Sequence, residues 1–223
     1  MKNDPPPLAT MNLHEEASRY ALLRRLTPTL RHHMAGEFQP IGMMAALLER
    51  RLQNPNPDLA GLKDNCSAIG KLSRSAAETC VNLMSWVAPR APASVGLGEA
   101  VNECVNLLST SLRFRGFALT SEVPELPTRV SCNAIRSVLT AALLALSDEA
   151  GDPADLLVRA QVDAQQAVIE LTRTPVDRPA DNRLSDDYRP LTWEDVAALA
   201  AAESVTLTRS GNSVQLTLPA QTN

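Results

Sequence analysis

Two long stretches of helical periodicity, separated by one short turn, constrain the fold of this chain more than any other feature. Over residues 13–52 and again over residues 59–88, apolar side chains recur in steps of three and four, which marks one face of an α-helix. The intervening residues 53–58 are Asn-, Pro- and Asp-rich and predict a turn. Within the first stretch, Pro28 either begins a new helix or, like Pro40, only kinks a continuous one.

The apolar stripes show what such a hairpin needs in order to be stable. The first helix contributes Leu23, Leu26, Leu30, Met34, Phe38, Ile41, Met44 or Ala45, and Leu48; the second contributes Leu62, Cys66, Ile69, Leu72, Ala76, Cys80, Leu83 and Val87. Helices of this length extend over about 45 Å, and two of them cannot cover both stripes. The hairpin therefore needs another domain or a second hairpin. Pairing with a second copy in a two-fold homodimer, as a four-helix bundle, is the economical solution.

The second half of the chain has a different pattern. The predicted elements are helices over Leu97–Leu112, Ser131–Ala150 and Thr192–Glu203, and strands over Phe117–Val123, Leu156–Val162, Ala167–Thr172, Val205–Arg209 and Val214–Leu218. This order favours helices on one face of a mostly antiparallel sheet. The predicted fold class is α+β: an N-terminal two-helix hairpin that forms a dimeric four-helix bundle, followed by an α/β sandwich. The expected boundaries are a disordered tail at 1–11, the hairpin at 12–88, a linker at 89–95 and the second domain at 96–223.

Charge, hydropathy and cysteine spacing exclude several classes of protein. The formal net charge is −4 and no strongly basic patch occurs, so nucleic acid is not an expected partner. No apolar run approaches the roughly 18 residues that a membrane span requires. The four cysteines form no Cys-x-x-Cys pair, so no zinc or redox motif is predicted. A reducing, cytoplasmic location without a membrane fits these features.

The histidines of the first helix face different directions. On a helical wheel with Leu30 at zero, His32 falls at about 200°, opposite the apolar stripe, whereas His33 falls near −60°, on its flank. His32 is therefore predicted to point into solvent, where it is either an ordinary surface residue or available for chemistry. His33 is expected to pack or hydrogen-bond at the rim.

The residues around His32 carry a resemblance to a known family. The segment Leu30-Arg31-His32-His33-Met34-Ala35-Gly36-Glu37-Phe38-Gln39-Pro40 resembles the phosphoacceptor box of two-component histidine kinases, in its variant L-R-H-D-L-R-G-x-L-x-P. The resemblance implies that His32 is the phosphoacceptor and that Arg31 contacts the phosphoryl group or a receiver domain. In the family an acid follows the phosphoacceptor as general base. His33 stands there instead and is the candidate base.

The second domain resembles the ATP-binding domain of the same kinases. Arg115-Gly116 precedes the first strand and Leu216-Thr217-Leu218-Pro219 ends the last one, as in the family. The nucleotide motifs are absent. The helix that would supply a magnesium-binding Asn reads Ser137–Leu146 without one, the D-x-G-x-G segment reads Thr172–Val176, and the glycine-rich lid reads Tyr188–Trp193. The resemblance thus implies a degenerate domain that does not bind ATP in the family's way.

Three functions follow from this resemblance. The first is a histidine phosphotransfer protein that carries a phosphoryl group on His32 between receiver domains of response regulators, without a cofactor of its own and with Mg²⁺ supplied by the receiver. An upstream hybrid kinase is a further candidate partner. The second is a pseudokinase that binds a response regulator or a kinase without transfer. The third is a working kinase with a divergent nucleotide site. A phosphotransferase is favoured over an ATP-dependent kinase.

Overall fold

The structure, a computed structural model, confirms the α+β class. It describes residues 13–87, 94–125, 127–163, 165–178 and 189–222. The predicted tail at 1–11 lies outside these residues. The contacts divide the chain into two compact units: a helical unit, residues 26–91, and an α/β unit that combines residues 1–25 with 92–223.

The N-terminal hairpin consists of two long helices. α1 spans Leu13–Leu52 and α2 spans Leu59–Val87. Pro28 and Pro40 both lie inside α1, so Pro28 does not begin a new helix. Asp58 precedes α2, and its carboxylate accepts a hydrogen bond from the Ala60 amide at 3.1 Å, as expected of a capping residue.

The first described element after the hairpin is a short strand that the sequence did not predict. β1 spans Ser94–Gly96, at the end of the predicted linker 89–95, and pairs antiparallel with β3, Thr128–Ser131. Residues 94 and 95 of the predicted linker pair in a sheet, and residues 88–93 lie outside the described part.

Apart from β3 and β8, which the sequence did not predict, the remaining elements follow the predicted order. In chain order they are α3 (Leu97–Phe114), β2 (Phe117–Glu122), β3, α4 (Cys132–Ala134), a π-helical segment (Ile135–Leu139), α5 (Thr140–Ala150), β4 (Ala154–Asp163), β5 (Gln166–Pro175), α6 (Trp193–Ala202), β6 (Thr206–Ser210), β7 (Ser213–Pro219) and β8 (Gln221–Thr222). Gly211 connects β6 to β7 with a φ of 54°, a conformation that costs glycine little. The predicted strands Val205–Arg209 and Val214–Leu218 thus lie in one antiparallel hairpin.

Two sheets organise this unit. The larger has the strand order β2-β4-β5-β7-β6, in which only β2 and β4 run parallel, and the smaller has the order β1-β3-β8. Side chains alternate across β4, β5 and β7, so that one face is buried and the other is exposed or half-buried. The buried face carries Ala154, Leu156, Val158, Ala160, Ala167, Ile169, Leu171, Val214, Leu216 and Leu218. The apolar faces of α3, α5 and α6 are buried as well, as a two-layer α+β unit requires.

The first part of α1 belongs to the α/β unit. Three of its side chains bond to that unit: Ser18 to Asp195, Arg19 to Glu203 and Arg25 to Asp148. The predicted domain at 12–88 placed these residues with the hairpin. The contacts group the residues up to Arg25 with the second domain. Across the residues described, no helix is both long and apolar enough to cross a membrane.

Candidate phosphoacceptor site and the remodelled nucleotide region

His32 lies on an exposed face of α1. Its side chain is exposed and His33 is half-buried, in agreement with the helical wheel. Arg31 is also exposed and lies directly before His32. These three residues lie in the helical unit. They are consecutive on α1, so the helix backbone sets the directions of their side chains.

The two imidazole rings lie close but do not hydrogen-bond to each other. Their centroids are 6.5 Å apart and their planes stand at 86°. At that separation the ring nitrogens lie beyond hydrogen-bonding distance. Proton exchange between His32 and His33 therefore needs a bridging water or a different rotamer. Within the described ranges, no group of three or more His, Cys, Asp or Glu side chains is arranged to hold a metal ion.

The apolar stripe of the hairpin is only partly covered within one chain. In α1, Leu26 and Leu30 are buried, but Met34, Ile41, Met44 and Leu48 are only half-buried. Several large apolar side chains of the helical unit are exposed: Phe38, Met43, Leu52, Leu59, Val81, Met84 and Val87. Between 46% and 75% of each is accessible. That is more apolar exposure than a two-helix unit normally leaves to water.

In the α/β unit, the helix that would supply a magnesium ligand is part of the apolar core. Its residues Ala141–Leu146 are each at most 4% exposed. Thr140 is fully buried at its start. These positions pack against other side chains and offer no carboxylate or amide oxygen to a cation.

The segment that replaces D-x-G-x-G is a regular strand. Thr172–Pro175 continue β5, and the Arg173 amide donates to the Asn212 carbonyl at 2.9 Å. Thr172 pairs with Leu157 on one side and Ser213 on the other. The backbone groups that a glycine-rich loop would leave free are therefore used by the sheet.

The segment that replaces the end of the glycine-rich lid is held against α6. Asp195, at the third position of α6, is 2% exposed and forms a capping box with Thr192. Arg189 donates two hydrogen bonds to its carboxylate, both at 2.7 Å, and Ser18 donates a third at 2.9 Å. The Arg189 guanidinium holds the pKa of Asp195 well below its usual range; burial opposes this shift, and the bonds from Thr192 and Ser18 reinforce it. Tyr188, which precedes Arg189, lies outside the described residues.

A second buried carboxylate anchors the same segment to the end of α5. Asp148 forms ion pairs with Arg25 at 2.6 Å and with Arg115 at 2.9 Å. It also accepts a hydrogen bond from the Leu191 amide at 3.0 Å. Its side chain is completely buried, and that of Arg25 is 8% exposed. Burial lowers the pKa of Arg25, although the charge of Asp148 opposes that shift. The Leu191 side chain, 3% exposed, fills the space beside this cluster.

Trp193 provides a further attachment for residues 189–193. Its indole N–H donates to Glu149 at 2.8 Å, and the Arg209 guanidinium stacks over its ring, 4.6 Å from the centroid. Arg209 also pairs with Glu149. The bond from Arg209, reinforced by that from Trp193, lowers the pKa of Glu149. Residues 189–193 are thus fixed by three carboxylates, at positions 148, 149 and 195.

The sequence reasoning missed most of this polar cluster. Local patterns did not connect Asp195 with Arg189 or with Ser18. They did not connect Asp148 with Arg25 either. An isolated acid at the end of an apolar helix, as Asp148 is, offers a weak signal of a buried ion pair. Ser18 and Asp195 are 177 residues apart, and no local pattern connects them.

Solved structures of several histidine kinases and of a phosphotransferase are similar to the chain at low sequence identity. No family model and no curated protein matches the chain. Among solved structures, Acinetobacter baumannii histidine kinase AdeS shares 14% identity with a TM-score of 0.41, over 81% of this chain and 95% of that chain. Histidine kinase ThkA, in complex with response regulator protein TrrA, shares 14% with a TM-score of 0.44, over 96% and 68%. A bacterial phosphotransferase shares 16% with a TM-score of 0.39, over 97% and 100%.

Each of these similarities has a TM-score below 0.5 and an identity of 16% or less, so none carries a conclusion about this chain.

Proposed function

We propose that the chain is a histidine phosphotransfer protein of a two-component phosphorelay, which carries a phosphoryl group on His32 between receiver-domain aspartates in the cytoplasm. The observation that carries this proposal is the exposure of His32 at the centre of a phosphoacceptor-like box on a continuous helix. A protein partner can reach such a side chain without a conformational change in the helix.

The transfer needs little from the chain beyond a positioned imidazole. The unprotonated ring nitrogen of neutral His32 attacks the phosphorus of an aspartyl phosphate on a receiver. An N–P bond forms, the P–O bond to the aspartyl carboxylate breaks, and the carboxylate leaves with the bonding electron pair. The other ring nitrogen keeps its proton. A second receiver's aspartate then displaces the imidazole and takes the phosphoryl group.

Arg31 and His33 have supporting roles in this proposal. Arg31 is exposed next to His32 and supplies positive charge beside a transferring phosphoryl group or an acidic receiver pocket. His33 accepts a hydrogen bond, through a bridging water, from the ring N–H that His32 keeps. Mg²⁺ enters with the receiver domain, so catalysis by this chain is mostly positioning.

Three features support a domain that no longer binds ATP. The helix that would supply a magnesium ligand is apolar and buried, the segment in place of D-x-G-x-G is a strand, and residues 189–193 are bonded to α5 and α6. A phosphate-binding lid needs free backbone amides and room to move. The Leu191 and Thr192 amides are bonded to carboxylates, and Pro190 has no amide hydrogen.

The exposed apolar side chains of the helical unit support a homodimer. A second copy covers Phe38, Val81 and similar residues without any other domain, and a two-fold pairing of hairpins is a four-helix bundle. The proposed relay therefore displays two His32 side chains for each dimer.

A binding module without transfer is the second candidate function. The observation that favours it is His33, which stands where the family carries an acid and lies 6.5 Å from the His32 ring. In this case the protein binds a response regulator or a partner kinase without phosphoryl transfer, and His32 is only one of the contact residues.

Phosphotransfer from labelled receivers separates these functions. Receiver domains are phosphorylated with a small chemical donor, purified and mixed with the full chain, beside His32→Ala and His33→Ala variants. The relay predicts label on wild type and on His33→Ala at a lower rate, and none on His32→Ala. Receiver binding without label on any variant leaves the binding module. Label acquired from ATP alone contradicts the loss of nucleotide binding.

A further inference from the structure

The first turns of α1, residues 13–25, form a short helical segment that depends on its surroundings. We call it the N-terminal segment of α1. Isolated helices of this length are marginal in water, because roughly 12–15 residues are needed for even a good helix former. Pro28, three residues further on, has no amide hydrogen to donate, so the ladder of helical hydrogen bonds is interrupted there. The segment therefore relies on tertiary packing to stay helical.

The rest of the α/β unit supplies that packing on one face of the segment. The covered side chains have helical spacing: Ser18, Ala21, Leu22 and Arg25. Leu13 and Tyr20 lie about 200° round the helix from Ser18 and are exposed. One buried face and one exposed face are typical of an amphipathic helix that is bound by a protein surface.

The polar contacts of the buried face are between side chains of opposite charge or polarity. Three carboxylates from the second half of the chain bind the segment, those of Asp148, Asp195 and Glu203. Their donors on the segment are two arginines and one serine, at distances of 2.6 to 2.9 Å. The charges of the two surfaces are therefore complementary, which favours one position of the helix over others.

Two of these carboxylates also hold residues 189–193. Asp148 accepts a hydrogen bond from the Leu191 amide at 3.0 Å, and Asp195 accepts one from the Thr192 amide at 2.9 Å. Detachment of the N-terminal segment removes a donor from each of these buried carboxylates, which is unfavourable for the arrangement that remains. The position of the segment and that of residues 189–193 are therefore energetically coupled.

We propose that the α/β unit is a binding site for the N-terminal segment of its own α1, and that binding of this segment holds residues 189–193 in place. The occupant is a piece of the same chain, bound as a helix at the end of α5 and the start of α6. Its detachment releases both parts in one step: the segment loses its helix, and the Leu191 and Thr192 amides become open to solvent. The inference does not depend on phosphoryl transfer by His32.

A matched pair of variants makes the test specific. Leu22→Glu places a charge on the buried face of the segment, and Tyr20→Glu places the same side chain on its exposed face, two residues away. Both variants leave the three carboxylates and their donors unchanged. Leu22→Ala removes packing without adding a charge, and it is the variant to compare if Leu22→Glu unfolds the whole chain.

The experiment measures hydrogen exchange of the full chain by mass spectrometry, in low concentrations of urea. In wild type we expect the amides of the N-terminal segment and those of Leu191 and Thr192 to open with the same free energy, below that of the β5 amides. In Leu22→Ala, exchange should be at least tenfold faster in the segment and at Leu191 and Thr192 alike, while β5 stays protected. Tyr20→Glu should exchange as wild type does.

Other results overturn the inference. Faster exchange in the segment, with unchanged exchange at Leu191 and Thr192, shows that the two are not coupled. An equal acceleration in Tyr20→Glu shows a general effect of the new side chain on α1. Loss of β5 protection together with the segment, in Leu22→Ala as well as in Leu22→Glu, shows that the segment belongs to the core and is not a bound element. Unchanged exchange of the segment in both Leu22 variants shows that its helix does not need this packing.

Discussion

Ser18 in α1 donates a hydrogen bond of 2.9 Å to the carboxylate of Asp195 in α6, across 177 residues of sequence. Both side chains are almost completely buried, at 0% and 2% exposure. The same carboxylate holds Arg189 and caps α6. One buried acid thus connects α1, α6 and Arg189 within the α/β unit.

Replacement of Ser18 by alanine tests this connection. The variant removes one donor from a buried carboxylate, and we expect the free energy of unfolding to fall by about 1 to 2 kcal/mol. Urea denaturation followed by circular dichroism measures the change. Ser73→Ala, at an exposed site of α2, is the matched control and should leave stability within about 0.5 kcal/mol of wild type. Equal stability of both variants contradicts a stabilising role for the Ser18 bond.

The low pKa of Asp195 predicts a pH-dependent stability. Its folded-state pKa lies below the unfolded value of about 3.9, so the folded protein binds this proton more weakly than the unfolded chain. The stabilisation is complete above the unfolded pKa and is lost as the pH falls from there toward the folded pKa. Stability should decline below about pH 5, and less steeply in Asp195→Asn. If the free energy of unfolding, measured by urea titration, depends on pH in the same way in wild type and in Asp195→Asn, then Asp195 does not cause the decline.

Removal of Asp148 should be more damaging. The substitution Asp148→Ala leaves Arg25 and Arg115 as buried cations without their shared carboxylate. Breaking a buried ion pair from one side typically costs about 3 to 5 kcal/mol. Thermal unfolding compares this variant with Asp152→Ala, an exposed acid four residues further along. Similar melting temperatures for the two variants rule out a structural role for the Asp148 cluster.

Local sequence signals predicted most of the fold, because apolar periodicity reflects burial and turn and cap residues mark the ends of elements. The two long helices, the β4–β5 and β6–β7 hairpins and the Thr192 cap of α6 all have local signals in apolar spacing, turn residues or capping residues. The exposure of His32 and the half-burial of His33 follow from the same wheel. These features need no knowledge of distant contacts.

Features that depend on distant pairing were not predicted. The small sheet joins β1, β3 and β8, strands of two to four residues that are too short to show alternation. The grouping of Ser18 and Arg25 with the α/β unit depends on Asp195 and Asp148, which are more than 100 residues away. A polar residue on a long helix has the pattern of a solvent-facing one until its partner is known.

The fixed lid segment predicts that nucleotide does not stabilise the protein. A ligand at a hundred times its dissociation constant adds about 2.7 kcal/mol to the free energy of unfolding, and a binding-competent kinase domain should show such a gain with Mg²⁺ and ATP. We expect no change in the melting temperature of this chain in millimolar Mg²⁺ and ATP. A concentration-dependent increase contradicts the proposal that residues 189–193 replace a phosphate-binding lid.

Cysteine reactivity tests the proposed four-helix bundle. Cys66 is exposed within one chain but lies on the predicted apolar stripe of α2, so self-pairing should cover it. Cys104 is buried, and burial raises the pKa of its thiol to about 12, so its alkylation should require unfolding. Alkylation by a maleimide, mapped by peptide mass spectrometry, should modify Cys66 slowly at high protein concentration and faster on dilution. Cys104 should remain unmodified at both concentrations. A rate at Cys66 that does not depend on protein concentration contradicts a dimer that covers this face of the hairpin.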